Sequence, residues 1–472
     1  WLNAVLIEAT DPQLRAVQGL SFVKGLEFNA PLANARIKVN SDLATASLYS
    51  VSTATHQQAF TEKSKEITPL AYGTSLTQIT QLGADQMHLK GYRGEGMLIA
   101  LLDDGYRNAD SVFFLKPLFQ ENRIVGTYDF VAKEYSVYED DSHGLSVLST
   151  IAGTSENMLY GTAFKSSFLL LRTEDGRSET RVEEANWLFG AEYADSTGAD
   201  IINSSLGYTV FDNGVGYTYN ALNGRTALVS RAAQWAAEAG IVVVTSAGNE
   251  GDDPWRYVSL PADAEQVLAI AAVNPQGIRV PFSSFGPAAD GRIKPDLAAL
   301  GLGVVIGSSN GNITLSSGTS FAAPLITGLV AGFWQAYPWL TATQVIDCLR
   351  LSGSQYKNPD SELGYGIPNF ERASFIAANK YAHFASANYP LWAFPNPFTE
   401  DDRLFFQWIE AAKGIPIDAM LYDISGRLVW QQRFTNNIEQ TFLAEGMRLR
   451  PGMYFLTVST SDLKRTIKVV KQ

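Results

Sequence analysis

Four residues of this chain have the types and the order needed for acyl transfer to water: Asp103, His143, Asn249 and Ser320. A serine hydroxyl becomes a nucleophile when an imidazole takes its proton. A carboxylate then holds that imidazole, and an amide donor steadies the oxyanion. Each residue alone has an ordinary reading. Asp103 follows the apolar run Met97–Leu102 and precedes Asp104-Gly105, which suits a turn as well as a buried acid that needs partners. His143, one of only four histidines, opens the helix-like Leu145–Ala152, where a cap-region residue is equally at home. Asn249 sits between Gly248 and Glu250-Gly251, a turn setting. Ser320 enters the apolar helix Leu325–Ala336 through Gly318-Thr319, a position that serves an N-cap or an anion site. The four together supply orienter, base, donor and nucleophile on one unit, and that conjunction is far more specific than any member.

The elements that must position them alternate. Strand-like Met97–Leu102, Ser167–Leu171, Asp200–Asn203, Ile241–Thr245 and Val267–Val273 are separated by amphipathic stretches such as Glu183–Ser196 and Thr226–Ala239. This pattern predicts an α/β fold, a mostly parallel sheet with helices on both faces, over residues 72–384. Functional groups in such sheets gather beyond the carboxyl ends of the strands. Residues 1–30 read as a small α+β segment with a short helix starting at Asp11-Pro12, and 31–71 as a linker. Residues 393–472 differ again. Leu404–Trp408, Ile417–Tyr422, Arg427–Phe434, Thr441–Leu443, Met453–Thr457 and Thr466–Val470, with turns at Ser425-Gly426 and Pro451-Gly452, predict a small β-sandwich.

Composition narrows the partners. Hydrophobic residues at 46% against 18% charged can build a large core. A net charge of −12 argues against nucleic acid as principal ligand. No apolar run approaches the ~18–20 residues of a membrane span. The single Cys348 permits no internal disulfide and is read as a buried small hydrophobe. The start at Trp1, without a signal peptide, predicts a processed or trimmed form.

Residues 72–383 resemble the subtilisin-like serine proteases, or subtilases. The resemblance rests on Ile99–Gly105, Ser142-His143-Gly144 with Ile151-Ala152-Gly153, Ile201–Gly207, Ala247–Gly251, Lys294-Pro295-Asp296 and Ser317–Pro324. It implies Asp103, His143 and Ser320 as a triad, with Asn249 and the Ser320 N–H as oxyanion hole. It also implies that Ser205-Leu206-Gly207 and Thr245-Ser246-Ala247-Gly248 wall the pocket for the residue before the cut, with Ser259 near its floor. Two positions depart from the family pattern. Asp104 replaces the usual Thr or Ser, as in the kexin-like branch, and Phe321 replaces a methionine. Asp104, with Glu174, Asp175, Glu179, Glu183 and Glu184 near the expected groove edge, suggests a preference for basic residues upstream of the cut. A solvated acidic loop is the plainer reading of those acids.

Residues 1–30 resemble the second half of a subtilase propeptide, an intramolecular inhibitor, with maturation falling in 31–71. The C-terminal unit resembles type IX secretion sorting domains of Bacteroidetes. That likeness rests on Pro395-Asn396-Pro397-Phe398, Leu421–Arg427, Pro451–Tyr454 and Lys468–Lys471. Together these imply a secreted or outer-surface endopeptidase acting on proteins or peptides, exported through its C-terminal domain. No cofactor is implied. Structural calcium is compatible with Asp140, Asp141, Asp252 and Asp253, which show no diagnostic ligand spacing, so metal ligands stay unassigned. The alternatives are a catalytically silent subtilase-fold binding protein and an adhesin working through residues 393–472.

Overall fold

Apolar strands with no exposed polar alternation can be satisfied only inside a layered sheet, and that is where they lie. The structure is a computed structural model. It describes residues 1, 7, 9–20, 23–26, 70–381, 391–394, 404–408, 415–434, 441–444 and 449–471. Within them the chain divides into two compact units, one containing Thr68–Ile376 and the other Ala377–Gln472. Most of the expected N-terminal strands, residues 31–69 of the expected 31–71 linker, His56, His383 and the Pro395–Phe398 motif lie outside the described residues. The short helix does appear as Asp11–Gln18, where Gln13 Oε1 accepts the Thr10 N–H.

Seven parallel strands form the central sheet: β1 Leu98–Asp103, β2 Ile124–Asp129, β3 Ser167–Arg172, β4 Ile201–Ser204, β5 Val242–Ser246, β6 Leu268–Val273 and β7 Leu297–Leu300. Their order is β2-β3-β1-β4-β5-β6-β7. From β1 the chain first winds toward β2 and β3, then returns to build β4 onward on the other side. That reversal opens a crevice at the carboxyl ends of β1 and β4, the place where such folds collect chemistry. Register aligns Leu102 with Ser204 and Ser204 with Thr245, so Asp103, Ser205 and Ser246 leave the sheet side by side.

Helices cover both faces. Helix α1 is His143–Ala152, α2 is Arg181–Thr197, α3 is Leu228–Glu238, α4 is Thr319–Ala336 and α5 is Ala342–Leu351. Alanines of α2 and α3 (Ala185, Ala191, Ala232, Ala233, Ala236) let both helices approach Leu102, Leu171, Ile202 and Val243 closely. Each large aliphatic side chain buried there contributes roughly 1.5–3 kcal/mol. Helix α4 lies on the other face against β4 to β7 and also packs on α1. It is apolar all round and buried from Thr319 to Phe333, as a helix covered on every side must be.

The second unit has two antiparallel sheets. One pairs Leu391–Phe394, Leu404–Trp408 and Thr441–Ala444; the other pairs Leu428–Phe434, Ile417–Asp423, Gly452–Ser459 and Lys464–Lys471. Ile417, Ala419 and Leu421 alternate inward and meet Leu404, Phe406 and Trp408 in one core, which makes a β-sandwich. At one turn Asp423 Oδ1 accepts the N–H groups of Ser425 and Arg427, and Gly426 takes φ +81°.

A Cβ on Gly328, in the middle of α4, would collide with the Thr162 side chain and the Ala163 backbone. Gly328→Ala is therefore expected to destabilise the first unit by about 1–3 kcal/mol, because this interface cannot open without lifting α4 off the sheet. Urea unfolding of wild type and variant measures it.

Candidate active site

Asp103 ends β1 with its side chain fully buried. Its Oδ1 accepts the Asp104 N–H at 2.9 Å and pairs with His143 Nδ1 at 2.7 Å. Its Oδ2 is buried and has no hydrogen-bond partner among the described residues. His143 is the first residue of α1, and its ring remains about one-third exposed. Asp104 caps that helix, its Oδ1 accepting the N–H groups of His143 at 3.1 Å and Gly144 at 3.3 Å. The aspartate thus holds in place the helix end that carries the imidazole.

Charge follows from this packing. Burial of His143 disfavours the imidazolium, but the charge and hydrogen bond of Asp103, helped by Asp104, outweigh it and raise the imidazole to about 9. Burial, and then the Asp103 charge, push Asp104 up to about 7.

Ser320 sits in the first turn of α4, where Pro324 has a consequence for the backbone. A proline has no N–H to give the carbonyl four residues back, so the Ser320 carbonyl loses its helical donor. The Ser205 hydroxyl takes that place, donating to Ser320 O at 2.8 Å, and Ser320 Oγ donates in return to Ser205 O at 3.3 Å. No hydrogen bond joins Ser320 Oγ to His143 among the described residues. Phe321, the departure noted beside Ser320, lies against His143 with ring centroids 5.7 Å apart. Asn249 is tied to the same helix end, its Oδ1 accepting Thr319 N–H at 2.9 Å and Thr319 Oγ1–H at 3.0 Å. Its Nδ2 donates no hydrogen bond among the described residues. Asn203 Oδ1, deeper in the sheet, accepts the Thr327 hydroxyl of α4 at 2.7 Å.

The structure brings together the remaining candidates unevenly. Ser205-Leu206-Gly207 follows β4 and Ser246-Ala247-Gly248 closes β5, with Ser246 Oγ donating to Leu206 O at 3.4 Å. Ser259 lies between the two segments, its N–H on Ala247 O. Beside Asp104 and Leu206 lies an open cavity of about 380 Å³, also lined by Glu174, Asp175, Arg177, Glu179, Glu183 and Asp212. Residues 173–180, which precede α2, form a loop in place of an edge strand. Glu183 caps α2, accepting the Thr180 N–H at 2.5 Å and the Asp175 N–H at 3.2 Å. Glu184 is not among the residues lining the cavity. It is buried, accepting the Tyr217 hydroxyl at 2.7 Å and the Val229 N–H at 3.2 Å. Glu174 is bonded by the Tyr208 hydroxyl.

Sequence reasoning left three contributors unnamed. Thr319 orients Asn249. Arg172, 2% exposed, holds the Asp104 carbonyl at 2.7 Å and Asp129 at 2.8 Å. Ser284 donates to Glu250 Oε2 at 2.9 Å. The partners just named lie 34 or more residues away in sequence, so these bonds carry no local signal.

Asp140 and Asp141, like Asp252 and Asp253, belong to no group of three His, Cys, Asp or Glu side chains among the described residues, and Arg172 pairs with Asp140 at 3.3 Å.

Comparisons with known proteins match two stretches of the chain. Residues 94–366 match the model of the subtilase family, and residues 393–472 match that of a secretion system C-terminal sorting domain. Subtilisin from Bacillus pumilus is 30% identical over 300 residues, covering 63% of this chain and 97% of its own. Subtilisin NAT from Bacillus subtilis subsp. natto is likewise 30% identical over 300 residues, covering 63% and 70%. Among solved structures, the MycP3 protease from the type VII (ESX-3) secretion system superposes with a TM-score of 0.51 at 21% identity. That superposition covers 65% of this chain and 89% of the other and speaks to the fold alone.

A raised imidazole is a linkage statement with a definite sign. Charged His143 stabilises the fold fully below its unfolded value near 6.5, and that stability is lost as pH rises through about 9. NMR titration of the His143 ring is expected to give a midpoint near 9, and Asp103→Asn is expected to lower it.

Proposed function

Because this chain belongs to the subtilase family of serine proteases, we propose that it is a secreted endopeptidase using Asp103, His143 and Ser320 with Asn249 as an oxyanion donor. The observation that carries this reading is the convergence of the Asp103–His143 hydrogen bond with Ser320 and Asn249 at the ends of β1, β5 and α4. Rotation about Cα–Cβ releases the Ser320 hydroxyl from its long bond to Ser205 O and turns it to His143 Nε2. That nitrogen is the free one, because Asp103 holds Nδ1. His143 takes the proton as Oγ attacks the scissile carbonyl, then hands it to the leaving amine. Water repeats the sequence to release the acyl group. The oxyanion lies between Asn249 Nδ2 and the Ser320 N–H at the amino end of α4. Nothing in this sequence of steps calls for a cofactor.

Residues 72–384 serve as the catalytic domain. The N-terminal 1–30 serve as a propeptide remnant and intramolecular inhibitor, and 31–71 as the maturation region. The β-sandwich 393–472 acts as a type IX sorting domain, which places the enzyme outside a Bacteroidetes-like Gram-negative cell. A fluorophosphonate is expected to label wild type and not Ser320→Ala, with intact masses giving the maturation sites. Absence of labelling after mild cleavage within 31–71 would sink the reading. Asn249→Ala is expected to lower kcat by about 10²–10³, the size of that loss in subtilisin itself rather than one derived from this geometry.

The acid-lined cavity supports a preference for basic side chains upstream of the cut. Burial, then the charge of Asp212, raises Glu179 to about 7, and burial raises Glu183 to about 8. Arg177 lines the same cavity but is paired with Asp175, so a substrate cation that relieves these carboxyls is favoured. Selectivity for lysine two or more residues before the cut is expected to grow between pH 6 and 8.5, as Asp104 and Glu179 ionise. Peptide kinetics at several pH values measure it. Unchanged preference in both Asp104→Thr and Glu179→Gln would exclude the cavity as its source.

A further inference from the structure

Arg172 closes β3 between two aspartates. Register sets it beside Asp103 of β1 on one side and Asp129 of β2 on the other, so the three side chains leave the same level of the sheet. The Arg172 side chain is 2% exposed and that of Asp129 fully buried, so neither charge can lean on water. Nε donates to the Asp104 carbonyl at 2.7 Å, and Nη1 donates to Asp129 Oδ2 at 2.8 Å. Asp140 Oδ2 lies 3.3 Å from Nη1 and Asp175 Oδ1 lies 3.9 Å from Nη2. One cation therefore reaches the ends of β1 and β2, the segment before α1 and the loop before α2.

The bond to the Asp104 carbonyl is the one that bears on the chemistry. It is the only hydrogen bond that carbonyl accepts among the described residues. The Asp104 N–H donates to Asp103 Oδ1, and the Asp104 carboxylate accepts from the N–H groups of His143 and Gly144. Asp104 thus touches both members of the Asp103–His143 pair, and Arg172 holds the peptide group that follows it. This turn is packed tightly on the start of α1. A Cβ on Gly144 would collide with Gly105 O, Asp103 Cβ and the Tyr106 ring, and one on Gly105 with the Asp141 backbone. The guanidinium stands beside Asp103 in register, yet it pairs with Asp129 and leaves Asp103 Oδ2 without a hydrogen-bond partner. An arginine on that carboxylate would neutralise the charge on which an imidazolium depends. Asp129 and Asp140 hold it to the side.

We propose that Arg172 is a positioning residue for this site. Through the Asp104 carbonyl it sets the Asp103-Asp104 turn, and through that turn the contact between the carboxylate and the His143 ring. A planar fork suits the task, because one rigid group serves a carbonyl and a carboxylate in fixed directions. Lysine carries the same charge on one nitrogen at the end of a flexible stem, and cannot keep both partners in these places. This inference rests on the protease reading above and adds to it the residue that fixes the geometry of its base.

The test compares wild type with Arg172→Lys, which keeps the charge. A second variant joins Arg172→Met to Asp129→Asn, which removes both buried charges together so that neither is left unpaired. Urea unfolding establishes that each variant is folded. A displaced reacting group costs up to about a hundredfold, so kcat on a fluorogenic peptide is expected to fall roughly 10–100-fold in both, with KM within about twofold. Fluorophosphonate labelling of Ser320 is expected to slow by a similar factor. In Arg172→Lys the His143 titration midpoint is expected to drop below the wild-type value of about 9, and with the charge unchanged that shift reports position. Wild-type kcat in the folded double variant overturns the proposal, since Arg172 would then serve only to neutralise Asp129. So does an Arg172→Lys enzyme with unchanged kcat and midpoint, or a rise in KM at constant kcat. Labelling at one rate in wild type and both variants sinks this inference alone. A wild type that does not label after cleavage within 31–71 removes the protease reading and this one with it.

Discussion

The N–H that Pro324 lacks organises this site. A carbonyl in a buried helix must find a donor, and the Ser320 carbonyl finds the Ser205 hydroxyl at 2.8 Å. One contact thereby ties the backbone beyond β4 to the first turn of α4. The same helix end is tied to the loop beyond β5, because Thr319 donates twice to Asn249 and its hydroxyl accepts the Gly248 N–H at 3.2 Å. Ser320, Asn249 and the segments beyond β4 and β5 are therefore referenced to one helix terminus. Since α4 is buried along most of its length, that terminus has little freedom to drift.

On the other side of the crevice the acids need the same support. Arg172 ends β3 fully inside the protein, where its guanidinium answers Asp129 and the carbonyl of Asp104. A buried carboxylate such as Asp129 is tolerable only with such a partner. The acids of the 173–180 loop have no equivalent. Arg177 is spent on Asp175 at 2.7 Å, leaving Glu174 to hydroxyls, Glu183 to backbone N–H groups and Glu179 Oε1 buried without a hydrogen-bond partner among the described residues. The two sides of the crevice thus differ in kind: one set of acids is internally neutralised, and the other is crowded and uncompensated.

That difference explains what could be read from the sequence. Strand limits came within a residue or two, as with Met97–Leu102 against Leu98–Asp103, because fully buried parallel strands are continuous apolar runs. Asp103, His143, Asn249 and Ser320 were visible because each sits where a strand stops or a helix starts beside a glycine. The edge strand β2 escaped notice, since its half-exposed residues carry no apolar run. Thr180 and Glu183 have the spacing of a capping box, which sequence alone could have recognised. Glu184 could not be sorted that way, because its partners Tyr217 and Val229 are 33 and 45 residues distant. Ser284 and Glu250 are as far apart, and only folding makes them one group.

The departure at position 104 has an electrostatic cost that the site turns to use. A hydroxyl there would reach back to Asp103, as the family pattern implies; Asp104 instead turns its Oδ1 to the amino end of α1. Asp103 is left with one satisfied oxygen and one buried without a donor. Its negative charge then leans on the single strong partner it has, the His143 ring at 2.7 Å. An imidazole that carries that burden is held in its charged form to higher pH, because losing its proton exposes the carboxylate. The same substitution that anchors the histidine helix therefore shifts its base toward the alkaline side. Both effects come from one side chain, and neither can be changed without the other.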